Sequence, residues 1–306
     1  AAETDSEWTT ATLARRVGLG NSCSRLWASL DRLNMFGVIT FVSTDVATVA
    51  QDAADAVAAS MSAPGQVATL ILPADVCWLD SPGPVGPAAP EPARAVSQGT
   101  VDEIAKALTS GEPAALLLGG STLFEGPLVD ASRISGTTGA KMLAETFPTR
   151  LERGAGVPSV ERLGYLAEFA QAQMDGLRHL VLVDALSPVS FFAYPGKASD
   201  LVPEGCTVHV LAAAGDDAPA ALAALADAVG ADAGAATVQE PFRPERPTGA
   251  LNAETFASAV GALLPEGTIV VDEGNTGGLF VSGFTAGAPR HDWLCLPGGA
   301  IGYGMP

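Results

Sequence analysis

Apolar residues follow two different spacings along this chain. Short, nearly continuous apolar runs are typical of strands buried in a parallel sheet. Such runs occupy residues 38–42, 67–72, 113–118, 141–144, 180–183, 207–211, 268–271 and 293–296. Between the runs, apolar residues recur at intervals of three and four, which predicts amphipathic helices. These helices are predicted at residues 45–60, 100–108, 128–134, 164–173, 219–229 and 252–264.

The predicted strands and helices alternate, and this alternation predicts an α/β fold in which helices cover both faces of a parallel sheet. Two segments rich in proline interrupt the pattern, at residues 80–98 and 232–250. Such segments are typical of extended linkers. Residues 99–231, which lie between them, are therefore predicted to form a Rossmann-like central domain, flanked by residues 1–79 and 251–306.

The composition limits the classes of function. The chain has 306 residues, a formal net charge of −18 and an isoelectric point near 4.3. A strongly acidic chain is a poor partner for nucleic acid, whose phosphates are bound by clustered Lys and Arg side chains. No apolar run is long enough to span a membrane, and residues 1–12 show no secretory signal. We therefore expect neither a nucleic-acid partner nor a membrane partner.

The cysteines and histidines bear on metal binding and on location. The four cysteines are Cys23, Cys77, Cys206 and Cys295. They are far apart and form no CxxC pair, so a zinc site is not predicted. Isolated thiols are typical of a reducing compartment, and we expect a cytoplasmic protein. Cys295 is interpreted as a small buried residue, and His179 and His209, which fall on predicted strands, as structural residues.

The end of the chain carries the most distinctive motifs. The predicted strand at residues 268–271 ends in Asp272 and Glu273, and the loop DEGNTGG continues to residue 278. A strand followed by a loop of small polar residues is where parallel sheets bind ligands. The predicted strand at residues 293–296 is followed by PGGAIGYGMP, whose glycines let backbone N–H and C=O groups approach a ligand closely.

The string GGAIGYGMP after a DEGNT loop resembles the thiamine-diphosphate-dependent enzymes, in particular the acetolactate synthase large subunits and the benzoylformate decarboxylase-like branch. The resemblance extends from about residue 45 to residue 306, and residues 1–45 are unmatched. It implies that residues 1–79 are part of a pyrimidine-binding domain and that residues 251–306 begin a diphosphate-binding domain. The implied activity is that of a 2-keto acid decarboxylase or carboligase with Mg²⁺ as a second cofactor. Family members form homodimers or homotetramers, and acetolactate synthases serve branched-chain amino acid biosynthesis.

The resemblance also implies roles for individual residues. Gly274, Asn275 and Thr276 would bind the diphosphate through N–H and hydroxyl donors, which suit phosphate oxygens. The carbonyl of Gly299 would accept a hydrogen bond from the 4′-amino group of the aminopyrimidine ring. Ile301 would be the apolar wedge that bends the cofactor, a role that suits a β-branched side chain with a stiff χ1.

In this family the central domain holds FAD in acetolactate synthases, and another nucleotide or none elsewhere. Gly119, Gly120 and Ser121 follow a predicted strand and form a candidate nucleotide pocket. The sequence LLLGGS departs from the GxGxxG pattern, so a plain strand-to-helix turn is an equal alternative. FAD is therefore considered but not assigned.

One segment of the central domain, residues 145–163, shows no apolar period but contains three arginines. These are Arg150, Arg153 and Arg162. We interpret them as members of surface ion pairs, with contact to an anionic ligand as the alternative.

Two parts of the family pattern are unmatched. The Gly-Asp-Gly motif that binds Mg²⁺ and diphosphate would lie beyond Pro306. The glutamate that protonates the aminopyrimidine ring has no counterpart in residues 1–45. We therefore assign no catalytic residue and expect the 306-residue chain to be incomplete and inactive alone. The alternatives are a non-catalytic homologue or subunit, and a nucleotide-binding module that acts through the central domain.

Overall fold

The structure is a computed structural model that describes residues 38–193, 195–196, 198–274, 276–296, 301–302 and 304. The chain divides between Arg94 and Ala95 into two compact units. This division falls inside the predicted linker at residues 80–98, where the described residues from Leu79 to Ser97 form no helix or strand.

The first unit contains two parallel strands joined by a helix. Strand β1 (Val38–Val42) leads to helix α1 (Val49–Met61), and strand β2 (Val67–Ile71) returns beside β1. A short helix, α2 (Ala74–Trp78), follows β2. Both strands were predicted from their apolar runs.

Helix α1 begins later than the apolar spacing predicted. The prediction placed its start at residue 45, whereas the structure starts it at Val49. Asp45 forms a turn instead. Its carboxylate accepts a hydrogen bond from the Ala47 N–H at 2.9 Å, and its carbonyl oxygen accepts one from the Thr48 N–H at 3.1 Å. An aspartate that bonds the backbone just after it favours a turn over the start of a helix.

The second unit is built on a five-stranded sheet. Its strands are β3 (Ala114–Leu118), β4 (Lys141–Ala144), β6 (Glu161–Arg162), β7 (His179–Val183) and β8 (Thr207–Ala212). They lie in the order β6-β4-β3-β7-β8, and every neighbouring pair is parallel. This arrangement confirms the predicted α/β fold with a parallel sheet.

Helices cover both faces of this sheet. They are α3 (Gln98–Leu108), α4 (Glu125–Thr138), α5 (Ala167–Met174) and α6 (Ala218–Ala228). Helices α3, α4 and α6 pack on one face, and α5 packs on the other. Successive residues of β3 divide between the two cores, because Leu116 and Leu118 join the first and Ala115 and Leu117 join the second.

Side chains that accept backbone N–H groups start several helices. Ser97 begins α3 and Asp217 begins α6, each with a hydrogen bond of 3.1 Å. Asn252 and Thr255 form a capping box at the start of α7 (Ala253–Leu263). Each such cap contributes about 1 kcal/mol. Within the described residues, no helix is both long and apolar enough to cross a membrane.

A three-stranded sheet belongs to the same unit. Its strands are β5 (Leu151–Arg153), β9 (Thr268–Val271) and β10 (His291–Leu294), and a short helix, α8 (Val281–Phe284), lies between β9 and β10 in sequence. The order is β5-β10-β9, and β10 is parallel to β9 but antiparallel to β5. Strand β10 begins two residues earlier than predicted.

Strands β5 and β6 were not predicted. They have three and two residues, too few to show an alternating pattern. Backbone pairing with distant partners defines them, since β5 pairs with β10 and β6 with β4. The three-stranded sheet thus joins β5, from the predicted central domain, to strands of the predicted last domain. The predicted domain limits remain predictions.

Candidate functional site

The candidate site lies where the last two strands end. Strands β9 and β10 are parallel neighbours, with Val271 opposite Leu294. Their carboxyl ends therefore meet at one edge of the sheet, the place where parallel sheets bind ligands. The loop that begins at Asp272 and the segment that begins at Cys295 both leave the sheet at this edge.

Glu273 connects the two glycine-rich segments. The N–H of Gly302 donates a hydrogen bond to Oε2 of Glu273 at 2.6 Å, and the N–H of Gly304 donates one to Oε1 at 2.5 Å. Gly304 also lies against Val271 at the end of β9, where any side chain on Gly304 would collide with Val271. The two motifs found in the sequence are thus brought together in space.

The loop after β9 is compact and exposes Thr276. A Cβ atom on Gly274 would lie 2.9 Å from the Cα of Gly278, so the loop closes tightly on itself. The N–H of Gly274 donates to Oδ1 of Asp272 at 3.1 Å. Thr276 is exposed at the tip of the loop, and Asn275 lies outside the described residues.

The predicted apolar wedge is exposed at the same edge. Ile301 directly precedes Gly302, and 66% of its surface is accessible. The loop after β9 continues into Leu279 and Phe280, which are also exposed. Large apolar side chains at a loop edge are suited to contact an apolar ligand group. Gly299 lies outside the described residues.

A network of charged and aromatic side chains lies beneath the loop. The Nε1–H of Trp293 donates to Oδ2 of Asp272 at 3.1 Å, and the Nη1 of Arg162 lies 3.6 Å from the same oxygen. Arg162 Nη1–H also donates to Sγ of Cys295 at 2.6 Å. Asp272 therefore joins the loop to two strands, β10 and β6.

Arg153 holds helix α8, which follows the loop. Its guanidinium lies 4.7 Å from the centroid of the Trp293 ring, and its Nη2–H donates to the carbonyl oxygen of Ser282 at 2.7 Å. Burial lowers the pKa of Arg153 to about 10, and the charge of Arg162 adds to that shift. The interpretation of Arg153 as a surface ion pair is wrong, since it forms no salt bridge with any described residue.

The other two arginines of that segment differ from each other. Arg150 forms the predicted surface ion pair, with its Nε 2.8 Å from Oδ1 of Asp292. This side-chain hydrogen bond raises the pKa of Arg150. Arg162 instead joins the network beneath the loop. No local sequence signal indicates this difference, because the side-chain partners of Arg162 are more than a hundred residues away.

Cys295 is buried, as predicted, with 1% of its surface accessible. Burial raises the pKa of its thiol, and the positive charge of Arg162 opposes that rise. The thiol is therefore protonated at neutral pH. A protonated, inaccessible thiol fits a packing role beneath the glycine-rich segment better than a nucleophilic role.

The candidate nucleotide pocket has a different character. Ser121 donates to Oδ2 of Asp184 from both its N–H and its hydroxyl, each at 2.8 Å. The N–H of Gly120 donates to Oε1 of Glu145 at 3.3 Å. Burial raises the pKa of Glu145, and the charge of Asp184 contributes to that shift. The N–H groups of Gly120 and Ser121 thus already bind carboxylates, and that of Gly119 binds the Val183 carbonyl, so a diphosphate at Gly119–Ser121 would have to displace these bonds.

Sequence reasoning did not single out Glu145 and Asp184. Each directly follows a predicted strand, at residues 141–144 and 180–183, and the carboxyl ends of parallel strands meet at one sheet edge. Their position directly after predicted strands was the feature of the sequence that could have identified them. Across the described part of the chain, no group of three or more His, Cys, Asp and Glu side chains is placed to bind a metal ion.

The residues at the ends of β9 and β10 fit thiamine diphosphate on two counts. The exposed Thr276 hydroxyl offers a neutral donor for phosphate oxygens, whereas the Gly274 N–H is already bonded to Asp272. The exposed Ile301 offers apolar surface next to the backbone amides of Gly302 and Gly304. A diphosphate and an aromatic ring system need these two kinds of contact.

No profile of a known protein family matches the chain. A protein of Mycobacterium tuberculosis (strain ATCC 25618 / H37Rv), named "putative acetolactate synthase large subunit IlvX", is 58% identical to it over 261 residues. The matched region is 85% of this chain and 50% of that protein. The chain thus spans about half the length of this curated relative.

Two solved structures share the fold. One is described as a "putative thiamin diphosphate-dependent enzyme" from Mycobacterium smegmatis. It is 17% identical to this chain, with a TM-score of 0.64, and the match covers 86% of this chain and 54% of the other. The second is a thiamine diphosphate-dependent 4-hydroxybenzoylformate decarboxylase of Rhodococcus jostii RHA1, with 16% identity, a TM-score of 0.64, and coverage of 87% and 54%. These comparisons confirm the resemblance to thiamine-diphosphate-dependent enzymes and acetolactate synthase large subunits.

Proposed function

We propose that this protein works as a thiamine-diphosphate-dependent enzyme of the acetolactate synthase type. Such an enzyme decarboxylates a 2-keto acid and either joins the remaining unit to a second carbonyl compound or releases it. The observation that carries the proposal is the link made by Glu273, which ties the DEGNTGG loop to the glycine-rich segment at one sheet edge. The relative with 58% identity supports it.

The residues named from the sequence would hold the cofactor. Gly274 and Thr276, with Asn275, would donate to the diphosphate oxygens. Ile301 would support the bent cofactor, and the carbonyl of Gly299 would accept from the aminopyrimidine amino group. Bound thiamine diphosphate supplies a nucleophilic thiazolium carbon and a sink for the electrons that decarboxylation releases.

The protein's own contribution is positioning. The network of Asp272, Trp293 and Arg162 fixes the start of the loop, and Arg153 fixes helix α8, which follows the loop, at Ser282. A site held in this way loses little conformational freedom when a ligand binds, which favours tight and well-oriented binding. Mg²⁺ would accompany the diphosphate, since it is the ordinary counter-ion of bound diphosphates.

The proposal extends to the setting of the enzyme. We propose a homodimer or homotetramer that acts in the cytoplasm, in branched-chain amino acid biosynthesis. Cys77, Cys206 and Cys295 form no disulfide with a described residue, which supports a reducing compartment. The expectation that the 306-residue chain alone does not turn over pyruvate remains a prediction.

Calorimetric titration with thiamine diphosphate and Mg²⁺ tests the proposal. It is made on the 306-residue chain and on the same chain extended past Pro306 with the corresponding segment of the Mycobacterium tuberculosis relative. Binding by either protein supports the proposal. If neither binds, the glycine-rich segment has only a structural role and the proposal is wrong.

Thr276→Val in the protein that binds then tests the residue assignment. The substitution keeps the shape of the side chain and removes the hydroxyl donor, so the dissociation constant for thiamine diphosphate is expected to rise about tenfold. Thr248→Val is the matched control, because Thr248 is an exposed threonine of the predicted linker. Equal affinities for the two variants would exclude Thr276 as a diphosphate ligand.

A further inference from the structure

The glycine-rich segment after β10 is attached to the end of β9 through one side chain. Each carboxylate oxygen of Glu273 accepts one backbone N–H, from Gly302 and from Gly304. Hydrogen bonds to an ionised acceptor are shorter and stronger than bonds between neutral groups. Two amides that converge on one carboxylate also form the kind of concave backbone site that binds anions in many proteins.

The conformation of this segment suits the attachment. Gly302 has a φ of +96°, a conformation that residues with a side chain rarely adopt. Gly304 leaves no room for a Cβ atom, because Val271 occupies that space. The two glycines therefore allow the backbone to approach β9 closely, and Glu273 supplies the acceptors that this approach requires.

The carboxylate acts next to the proposed wedge residue. Ile301 is bonded directly to Gly302, so the position of its backbone is set by the Gly302–Glu273 hydrogen bond. The Ile301 side chain is largely exposed and gains little from packing against the described residues. Before a ligand binds, the orientation of the Ile301 side chain thus depends on the conformation of its backbone. That conformation depends in turn on the hydrogen bond from Gly302 to Glu273.

We propose that Glu273 is a positioning residue, which holds the glycine-rich segment and Ile301 in place for the cofactor. This inference rests on the proposed function for the identity of the ligand, but the attachment itself does not depend on the ligand. Glu273 does not touch the reacting atoms. Its effect is to reduce the conformational freedom that the segment would otherwise lose when the cofactor binds.

The first test measures amide hydrogen exchange without any ligand. In Glu273→Gln the side-chain NH₂ replaces one acceptor oxygen, so the exchange of the Gly302 and Gly304 amides is expected to be at least about tenfold faster. Glu273→Asp keeps the charge on a shorter side chain and is expected to give an intermediate rate. Glu266→Gln is the matched control, since Glu266 is an exposed acid just before β9.

Two observations guard against a simple folding defect. Amides of β9 and β10 must keep their exchange rates in Glu273→Gln, and the melting temperature must stay close to that of the control. If the Gly302 and Gly304 amides exchange equally fast in the unsubstituted protein and in Glu273→Gln, the attachment does not exist in solution and the inference is overturned.

The second test measures the affinity for thiamine diphosphate, in whichever of the two titrated proteins binds it. We expect about tenfold weaker binding for Glu273→Gln, partial recovery for Glu273→Asp and no change for Glu266→Gln. Fast amide exchange together with unchanged affinity would overturn the positioning role. If protection depends on Glu273 but no variant and no extended chain binds the cofactor, the attachment is real and the proposed function is the part that fails.

Discussion

Two consecutive acids after β9 serve different parts of the molecule. Asp272 accepts hydrogen bonds from Trp293 and from Gly274, so it ties the buried network to the loop. Glu273 accepts from Gly302 and Gly304, so it ties the end of the described chain to the sheet. Successive side chains of an extended segment point in opposite directions, which explains how neighbouring carboxylates reach different segments.

His291 links the stability of the same sheet to pH. The residue is 4% exposed. Its Nδ1 lies 2.8 Å from the carbonyl oxygen of Pro289, and its Nε2 has no partner among the described residues. The pKa of His291 lies below its ordinary value, chiefly because burial disfavours the charged ring. The Pro289 carbonyl opposes this shift, and the charge of Arg153 reinforces it.

The sign of the effect on stability follows from this lowered pKa. An unfolded histidine titrates near about pH 6.5, so below that pH the unfolded chain binds a proton that folded His291 does not accept. The contribution of His291 to the free energy of unfolding is therefore fully present above about pH 6.5. It falls as the pH falls towards the pKa of the folded state. We expect the melting temperature to drop on acidification from about pH 7.5 to about pH 5.5.

The variant His291→Asn separates the contribution of His291 to this loss of melting temperature from the contributions of other titrating groups. Asparagine keeps an N–H donor near the Pro289 carbonyl but does not titrate, so the loss of melting temperature should be smaller than in the unsubstituted protein. Some loss should remain, because burial and the charge of His179 also lower the pKa of His209. An identical loss in both proteins would show that His291 does not contribute.

Local motifs made part of the site predictable from the sequence. Thr276 and Ile301 were identified from two short strings, and both are exposed at the expected sheet edge. Arg153, Arg162 and Trp293 were not assigned to the site, because their roles arise only when β5, β6 and β10 come together. Short motifs point to candidate ligand contacts, whereas the residues that support them are specified by tertiary contacts.

The same distinction holds for secondary-structure elements. Helix α3 and strand β3 lie within two residues of their predicted limits, because apolar spacing encodes their burial. Strands β5 and β6 have no such pattern and exist because their backbones pair with β10 and β4. Strands that form only by pairing with a distant partner cannot be predicted from the local sequence.

The turn after β5 gives a test at this scale. Gly154 has a φ of +113°, and a Cβ atom there would lie 2.7 Å from the carbonyl oxygen of Pro289 and 2.8 Å from that of Ala288. Gly154→Ala is expected to lower the free energy of unfolding by at least about 2 kcal/mol, because neither backbone oxygen can move away easily. Urea denaturation measures the change.

Gly126→Ala is the control for that substitution. Gly126 lies in the first turn of α4 with open space where a Cβ atom would be, so alanine is expected to leave stability unchanged or to raise it by up to about 1 kcal/mol. If both variants lost the same stability, the close approach of Gly154 to the turn before β10 would not be part of the structure in solution.

At the scale of the whole molecule, charge and exposed apolar surface oppose each other. The net charge of −18 favours separate molecules through repulsion. Strand β9 is at an edge of its sheet in the described part of the chain, and its outer face exposes Ile269 and Val271, which are 64% and 37% accessible. An apolar edge strand is a surface that other chains can pair with.

The salt concentration determines whether charge repulsion or apolar association dominates. At about 0.5 M salt the Debye length falls to roughly 4 Å, so the repulsion between molecules is largely screened while apolar contacts persist. We expect sedimentation velocity to show the proposed homodimer or homotetramer at low salt and further, concentration-dependent association at high salt. Ile269→Lys places a charge on the outer face of β9 and should abolish that association, whereas Val57→Lys, at an equally exposed position on α1, should not. Association that survives in Ile269→Lys, or disappears equally in both variants, would mean that β9 is not the contact surface.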